Sequence, residues 1–80
     1  MKLNDFIEGL TILQDYYNDP NDYHIGAEHD QFFIYNTDLP LSEEHVTRMF
    51  ALGWFQSDAK IVNGERVNDY NPDDGWSAFV

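Results

Sequence analysis

Eighty residues with 42% apolar and 16% aromatic side chains suffice for one small core, and the six Phe, five Tyr and two Trp exclude an acidic disordered chain. Fifteen acids face only four bases (Lys2, Arg48, Lys60 and Arg66), a net charge of −11 that argues against direct binding of nucleic acid or of an anionic membrane. The absence of cysteine excludes disulfides and thiolate-held zinc, and no apolar run approaches the roughly 20 residues that span a bilayer.

Taken in chain order, "MKLNDFIEGL" lacks the pattern of a secretory signal, so a cytoplasmic protein is expected. Leu3, Phe6, Ile7, Leu10, Leu13 and Tyr17 recur at helical spacing and predict an amphipathic helix. Asn4 is its expected N-cap, with Asp5 and Glu8 suited to the positive end of the helix dipole. "NDPND", Asn18 to Asp22, ends it.

Tyr23 to Ala27 and Gln31 to Tyr35 are β-favouring runs around a short polar "EHD", which predicts a hairpin. Phe33 and Tyr35 fall on one face of the second strand, Phe32 and Ile34 on the other, so that strand is expected to be central. Gly26 suggests a bulge or a close approach.

The clearest local signal is "LSEEHVTRMFALGW". Ser42 is a helix N-cap, Glu43 and Glu44 fill the first turn, and Leu41 and Val46 are spaced as a hydrophobic staple. Val46, Met49 and Phe50 form the buried stripe, and Gly53 stops the helix. Trp54 and Phe55 begin another strand, Asn63-Gly64 marks a two-residue hairpin, and "NPDDG" turns the chain into a last strand, "WSAFV". On that strand Trp76, Ala78 and Val80 share one face. Residues 1–80 thus read as a single α+β domain, in the order α-β-β-α-β-β. Two helices lie on one face of an antiparallel sheet of four to five strands, the Asn-Gly hairpin being an addition.

Two stretches could hold a metal. "NDYNPDDGW", Asn68 to Trp76, places Asp69, Asn71 and Asp73 two apart, as a calcium loop does. Position 6 from Asp69 is Asp74 rather than Gly, and position 12 is Val80 rather than Glu, so a turn is expected instead. His24, Glu28, His29 and Asp30 could in principle ligate zinc, but a hairpin does not converge them, and His45 is on another element. No metal or other cofactor is expected. Ser42, Ser57 and Ser77 fall in a cap and two strands with no nucleophile pattern, so an enzyme is not expected. Trp54 and Trp76 are expected in the core rather than on a binding surface.

Taken together, "GAEHDQFFIY", "LSEEHVTRMFALGWF" and "GWSAFV" resemble a pattern in small acidic bacteriophage and prophage proteins. The pattern is a Gly-Ala-Glu-His-Asp hairpin, a capped helix ending in Leu-Gly-Trp and a Gly-Trp strand. Such proteins include anti-CRISPR and other anti-defence inhibitors, some of which imitate nucleic acid. The resemblance carries no catalytic residue to this chain. It implies an inhibitor that occupies a basic, nucleic-acid-binding surface of a bacterial protein, as monomer or homodimer. The acids expected to meet that partner are Glu28, Asp30, Asp58, Glu65, Asp69, Asp73 and Asp74. Carboxylates two apart on a strand are separated by roughly 6.5–7 Å, close to the phosphate repeat of one DNA strand. The alternatives are an acidic interaction domain gripped through aromatic anchors, its charge serving solubility, and a small metal-binding protein.

Overall fold

The computed structural model of the chain describes residues 1–57, 59–67 and 69–79, and at Lys60, Ile61, Arg66 and Val67 it describes the backbone alone. Two helices, α1 (Leu3–Gln14) and α2 (Glu43–Ala51), accompany strands β1 (Ile25–Glu28), β2 (Gln31–Ile34), β3 (Lys60–Val62), β4 (Glu65–Val67) and β5 (Trp76–Phe79). The fold is α+β. Its main sheet is antiparallel, in the order β1-β2-β5, while among the described residues β3 and β4 pair only with each other. The strand expected at Trp54-Phe55 is reduced to one bridge, Phe55 to Ser77. The five described strands are therefore divided between a sheet of three and a ladder of two.

β2 is the central strand, as its two apolar faces require. Its inner residues Phe32 and Ile34 lie opposite Ala78 and Trp76 of β5, and Ile34, Trp76 and Ala78 are all buried. Leu13 of α1 and Val46, Met49 and Phe50 of α2 close over the same side, so both helices cover one face of the sheet. Phe50 meets Trp76 edge-on at 5.1 Å, and Phe6 meets Phe32 edge-on at 5.2 Å. β1 and β2 pair without interruption at Gly26, so no bulge forms there. The Tyr35 hydroxyl lies at ordinary contact distance from the place a Gly26 side chain would take.

α2 follows the sequence closely. Ser42 Oγ accepts the His45 amide at 3.3 Å, and Leu41 and Val46 are buried as a staple. At the other end Gly53 has φ +98°, its amide donates to Phe50 O, and the Trp54 amide donates to Met49 O. This pair of bonds is a Schellman motif, which needs a residue in the left-handed region and so favours Gly.

α1 departs from expectation in two ways. Its N-cap is Lys2, with no side-chain cap, so Asn4 lies inside the helix rather than before it. Its buried side is also rotated: Gly9 and Leu13 are buried, whereas Leu3 and Ile7 are 72% and 50% exposed. The cause is Trp54, 1% exposed, which follows the Schellman turn and lies against α1 at Gly9. A Cβ on Gly9 would stand 2.1 Å from Trp54 Nε1, so only Gly admits the indole there. Phe6 stacks on the same ring at 5.6 Å.

Candidate interaction surface

Both helices lie on the inner face of the sheet, and among the described residues no helix covers the outer one. Directly paired residues share a face, so one outer row is Gly26, Phe33 and Ser77, extended by Phe55 through its bridge. The next outer row is Glu28, Gln31 and Phe79. Phe79 is 62% exposed and packs its ring on Phe55 at 5.0 Å, and Tyr35 continues the face beyond β2 with 56% exposure.

Acids stand at both ends of this aromatic strip. At the hairpin end Glu28, Asp30, Phe33 and Phe79 line a groove of about 310 Å³. At the other end Asp73, Asp74, Tyr35 and Phe55 line a second groove of about 340 Å³. Gln31 and Phe33 belong to both grooves, so the surface is continuous. Gln31 and Tyr35, which belong to its two ends, are separated along the chain by four steps of about 3.3 Å, roughly 13 Å.

Four of the seven expected acids therefore meet on one face. Glu65, in β4, and Asp69 are exposed but line neither groove, and Asp58 lies outside the described residues. No two of the described acids stand two apart on one strand: Glu28 and Asp30 straddle a turn, and Asp73 and Asp74 belong to another. The expected phosphate-like row is replaced by two acidic ends around an aromatic middle.

The acids differ in freedom. Glu28 and Asp73 are exposed, and Glu28 lies 3.8 Å from His29 Nε2 in open solvent. Asp74 is engaged: Oδ1 accepts the Gly75 amide at 2.8 Å and Oδ2 accepts the Ser57 amide at 3.2 Å. Asn71 Oδ1 likewise accepts the Asp73 amide at 2.9 Å. Of the three oxygens that resemble a calcium loop in the sequence, that of Asn71 is thus turned to a backbone N–H, as an Asx-type turn requires, while the Asp69 and Asp73 side chains are exposed. The loop is anchored by a residue that the sequence pattern did not reveal. Gln56, 1% exposed, donates Nε2 to Asn71 O at 2.8 Å and accepts the Asn71 amide on Oε1 at 2.9 Å. Ser57 lies in a bend beside it, not in a strand. An isolated Gln carries no periodic signal, and its place beside the Trp54-Phe55 corner is the one feature of the sequence that points to it.

The histidines are likewise dispersed. His24 stacks on Tyr17 at 4.0 Å with Nε2 2.7 Å from Asp19 O, while His45 Nδ1 lies 2.6 Å from the Tyr16 hydroxyl. Among the described residues no three His, Asp or Glu side chains are gathered as metal ligands would be, and no helix is long and apolar enough to cross a membrane. Elsewhere Arg48 is held by Glu8, with Nη2 donating to Oε1 at 2.8 Å, so this cation is already paired. That hydrogen bond, aided by the Arg48 charge, holds the Glu8 carboxyl below its ordinary value. No family model, curated protein or solved structure matches the chain.

Proposed function

We infer that this chain is a phage-type acidic inhibitor whose outer sheet face occupies a basic surface of a bacterial protein. The observation that carries this reading is the strip of half-buried Phe33 and Phe55 with exposed Phe79 and Tyr35, bounded by Glu28 and Asp30 at one end and Asp73 and Asp74 at the other. Exposed aromatic rings supply contact area and attract guanidinium and ammonium groups to their faces. Carboxylates at the rim steer a cationic surface onto them. Basic grooves that bind nucleic acid have the matching chemistry, and an acidic ligand competes for them without itself binding nucleic acid. The phage resemblance supports the inhibitory sense of the contact, and the chain's net charge of −11 supports the sign of the partner.

The test is capture from bacterial lysate with the intact protein and with a Phe79→Ser, Glu28→Gln variant, followed by mass spectrometry and a nucleic-acid competition assay. A basic nucleic-acid-binding protein retained by the first and lost by the second, and released by added DNA or RNA, supports the reading. Identical captures by both proteins, or a mobility shift of DNA by the protein alone, would overturn it.

A further inference from the structure

The two edges of the main sheet are finished differently. The Tyr35 amide donates to His24 O at 2.9 Å, which makes His24 and Tyr35 a hydrogen-bonded pair. By antiparallel alternation Gly26 with Phe33 and Glu28 with Gln31 are hydrogen-bonded pairs too. The two-residue turn His29-Asp30 demands the same phase, because Glu28 and Gln31 close it. The N–H and C=O groups of Ile25 and Ala27 therefore point away from β2, out of the sheet. On β5 the same alternation turns Ser77 outward, and there Phe55 takes both groups, at 2.7 and 3.0 Å. The β5 edge is capped at its middle. Among the described residues nothing pairs with the edge of β1.

Side chains along that edge are open as well. Ile25 and Ala27 point to the helix side of the sheet, yet Ile25 is 59% exposed and Ala27 is exposed. Beside them runs an apolar groove of about 320 Å³ between α1 and β1, lined by Ile7, Leu10, Leu13, Tyr17, Ile25 and Ile34. Acids stand at both ends of the edge: Asp19 and Asp22 before β1, and Glu28 and Asp30 at the hairpin, all exposed.

We propose that the β1 edge receives an extended segment of the partner as a fourth strand, and that this segment alternates apolar residues with Lys or Arg. A strand laid beside β1 sends alternate side chains to opposite faces. One set enters the apolar groove. The other lies on the outer face next to Gly26 and Glu28, where cations meet the acidic rim. The outward amides of Ile25 and Ala27 supply the backbone bonds. The inference rests on the basic partner proposed above and adds its conformation and residue pattern. A second copy of this chain is the weaker occupant, because two chains of net charge −11 paired antiparallel along this edge would set the acidic hairpin of each against Asp19 and Asp22 of the other.

The test uses the full chain and two short synthetic peptides of equal composition, one alternating Lys and Val and one with the Lys and Val in separate blocks. Amide hydrogen exchange is followed by NMR. The alternating peptide is expected to slow exchange at Ile25 and Ala27, and the block peptide is not. Ala27→Pro deletes an outward N–H and none of the hydrogen bonds to β2, a change that edge strands tolerate, and affinity for the alternating peptide falls about fivefold, the worth of one backbone hydrogen bond. Ile25→Lys, which leaves the backbone intact, weakens it by charge at the lip of the groove. Binding that leaves both amides unprotected, binding unchanged in both variants, equal response to the two peptides, or no binding of either would each overturn the inference. So would protection without peptide in a particle of dimer mass, which would make a second copy the occupant. If Phe79→Ser, Glu28→Gln weakens both peptides while Ala27→Pro does not, the edge inference falls and the basic-partner reading stands.

Discussion

Gly9→Ala is a sharp test of the packing, because helix propensity and tertiary contact predict opposite signs. In a solvent-exposed helix the change stabilises by about 1 kcal/mol. Here the new methyl would lie 2.1 Å from Trp54 Nε1 and 2.5 Å from Cε2, more than 1 Å inside van der Waals contact. The indole has little room to retreat: it is 1% exposed and stacked on Phe6 at 5.6 Å. Overpacking of this kind costs about 1–3 kcal/mol or more, and so deep an overlap belongs at the upper end. After the propensity gain, the net destabilisation is about 2 kcal/mol. For a domain of this size that lowers Tm by roughly 8–16 °C. Urea denaturation followed by circular dichroism and by tryptophan fluorescence measures it. In a Trp54→Leu background, itself destabilised, the added Ala should cost much less, and the double-mutant cycle should show coupling above 1 kcal/mol or so. A Gly9→Ala protein as stable as the parent, or more so, would refute the contact between α1 and the Trp54 corner.

Gln56→Leu should destabilise by roughly 1–3 kcal/mol, since it leaves the Asn71 peptide groups without their partner; an unchanged urea midpoint would contradict the anchor. Calcium should leave Tm unchanged, because Asp74 and Asn71 spend their oxygens on backbone amides, whereas a site at 100 times its Kd would add about 2.7 kcal/mol. Burial, and secondarily the Asp38 charge, push the Tyr17 phenol up to about 12 from its ordinary 10.0. Since the folded state favours the protonated phenol, its contribution is complete below pH 10 and is lost as pH rises through about 12. Phenolate absorbance should show one late-titrating Tyr that disappears in Tyr17→Phe.

The sequence was most legible where one short-range rule decides the structure. Ser42, the Leu41–Val46 staple and Gly53 define α2 because each acts within a turn of its neighbours. β2 was readable as central from its two apolar faces. The rotation of α1 was not, because Leu3 and Ile7 are as apolar as Leu13, and only the arrival of Trp54 at Gly9 selects the buried side. The gathering of Glu28 and Asp30 with Asp73 and Asp74 depends on β5 pairing with β2, a contact between residues far apart in the chain. Among many acids, nothing local separates these from Glu65 and Asp69.

The Gln56–Asn71 clasp also has a topological meaning. Residues 57–70 leave and return through one neck, where a side-chain amide pairs with the Asn71 main chain much as a neighbouring strand would. The β3–β4 ladder lies within that closed excursion. Loop-closure entropy changes by only about 0.6 kcal/mol for each doubling of length, so what the excursion contains matters less than the clasp that shuts it. The two ends of the excursion belong to the base: Ala59 is 2% exposed in the core, and Tyr70 stacks on Trp76 at 5.8 Å and accepts the Leu41 amide. The exposed Asn63-Gly64 turn between β3 and β4 is what stands clear of that base, which makes the tip rather than the neck the natural point for adding a tag or a second binding element.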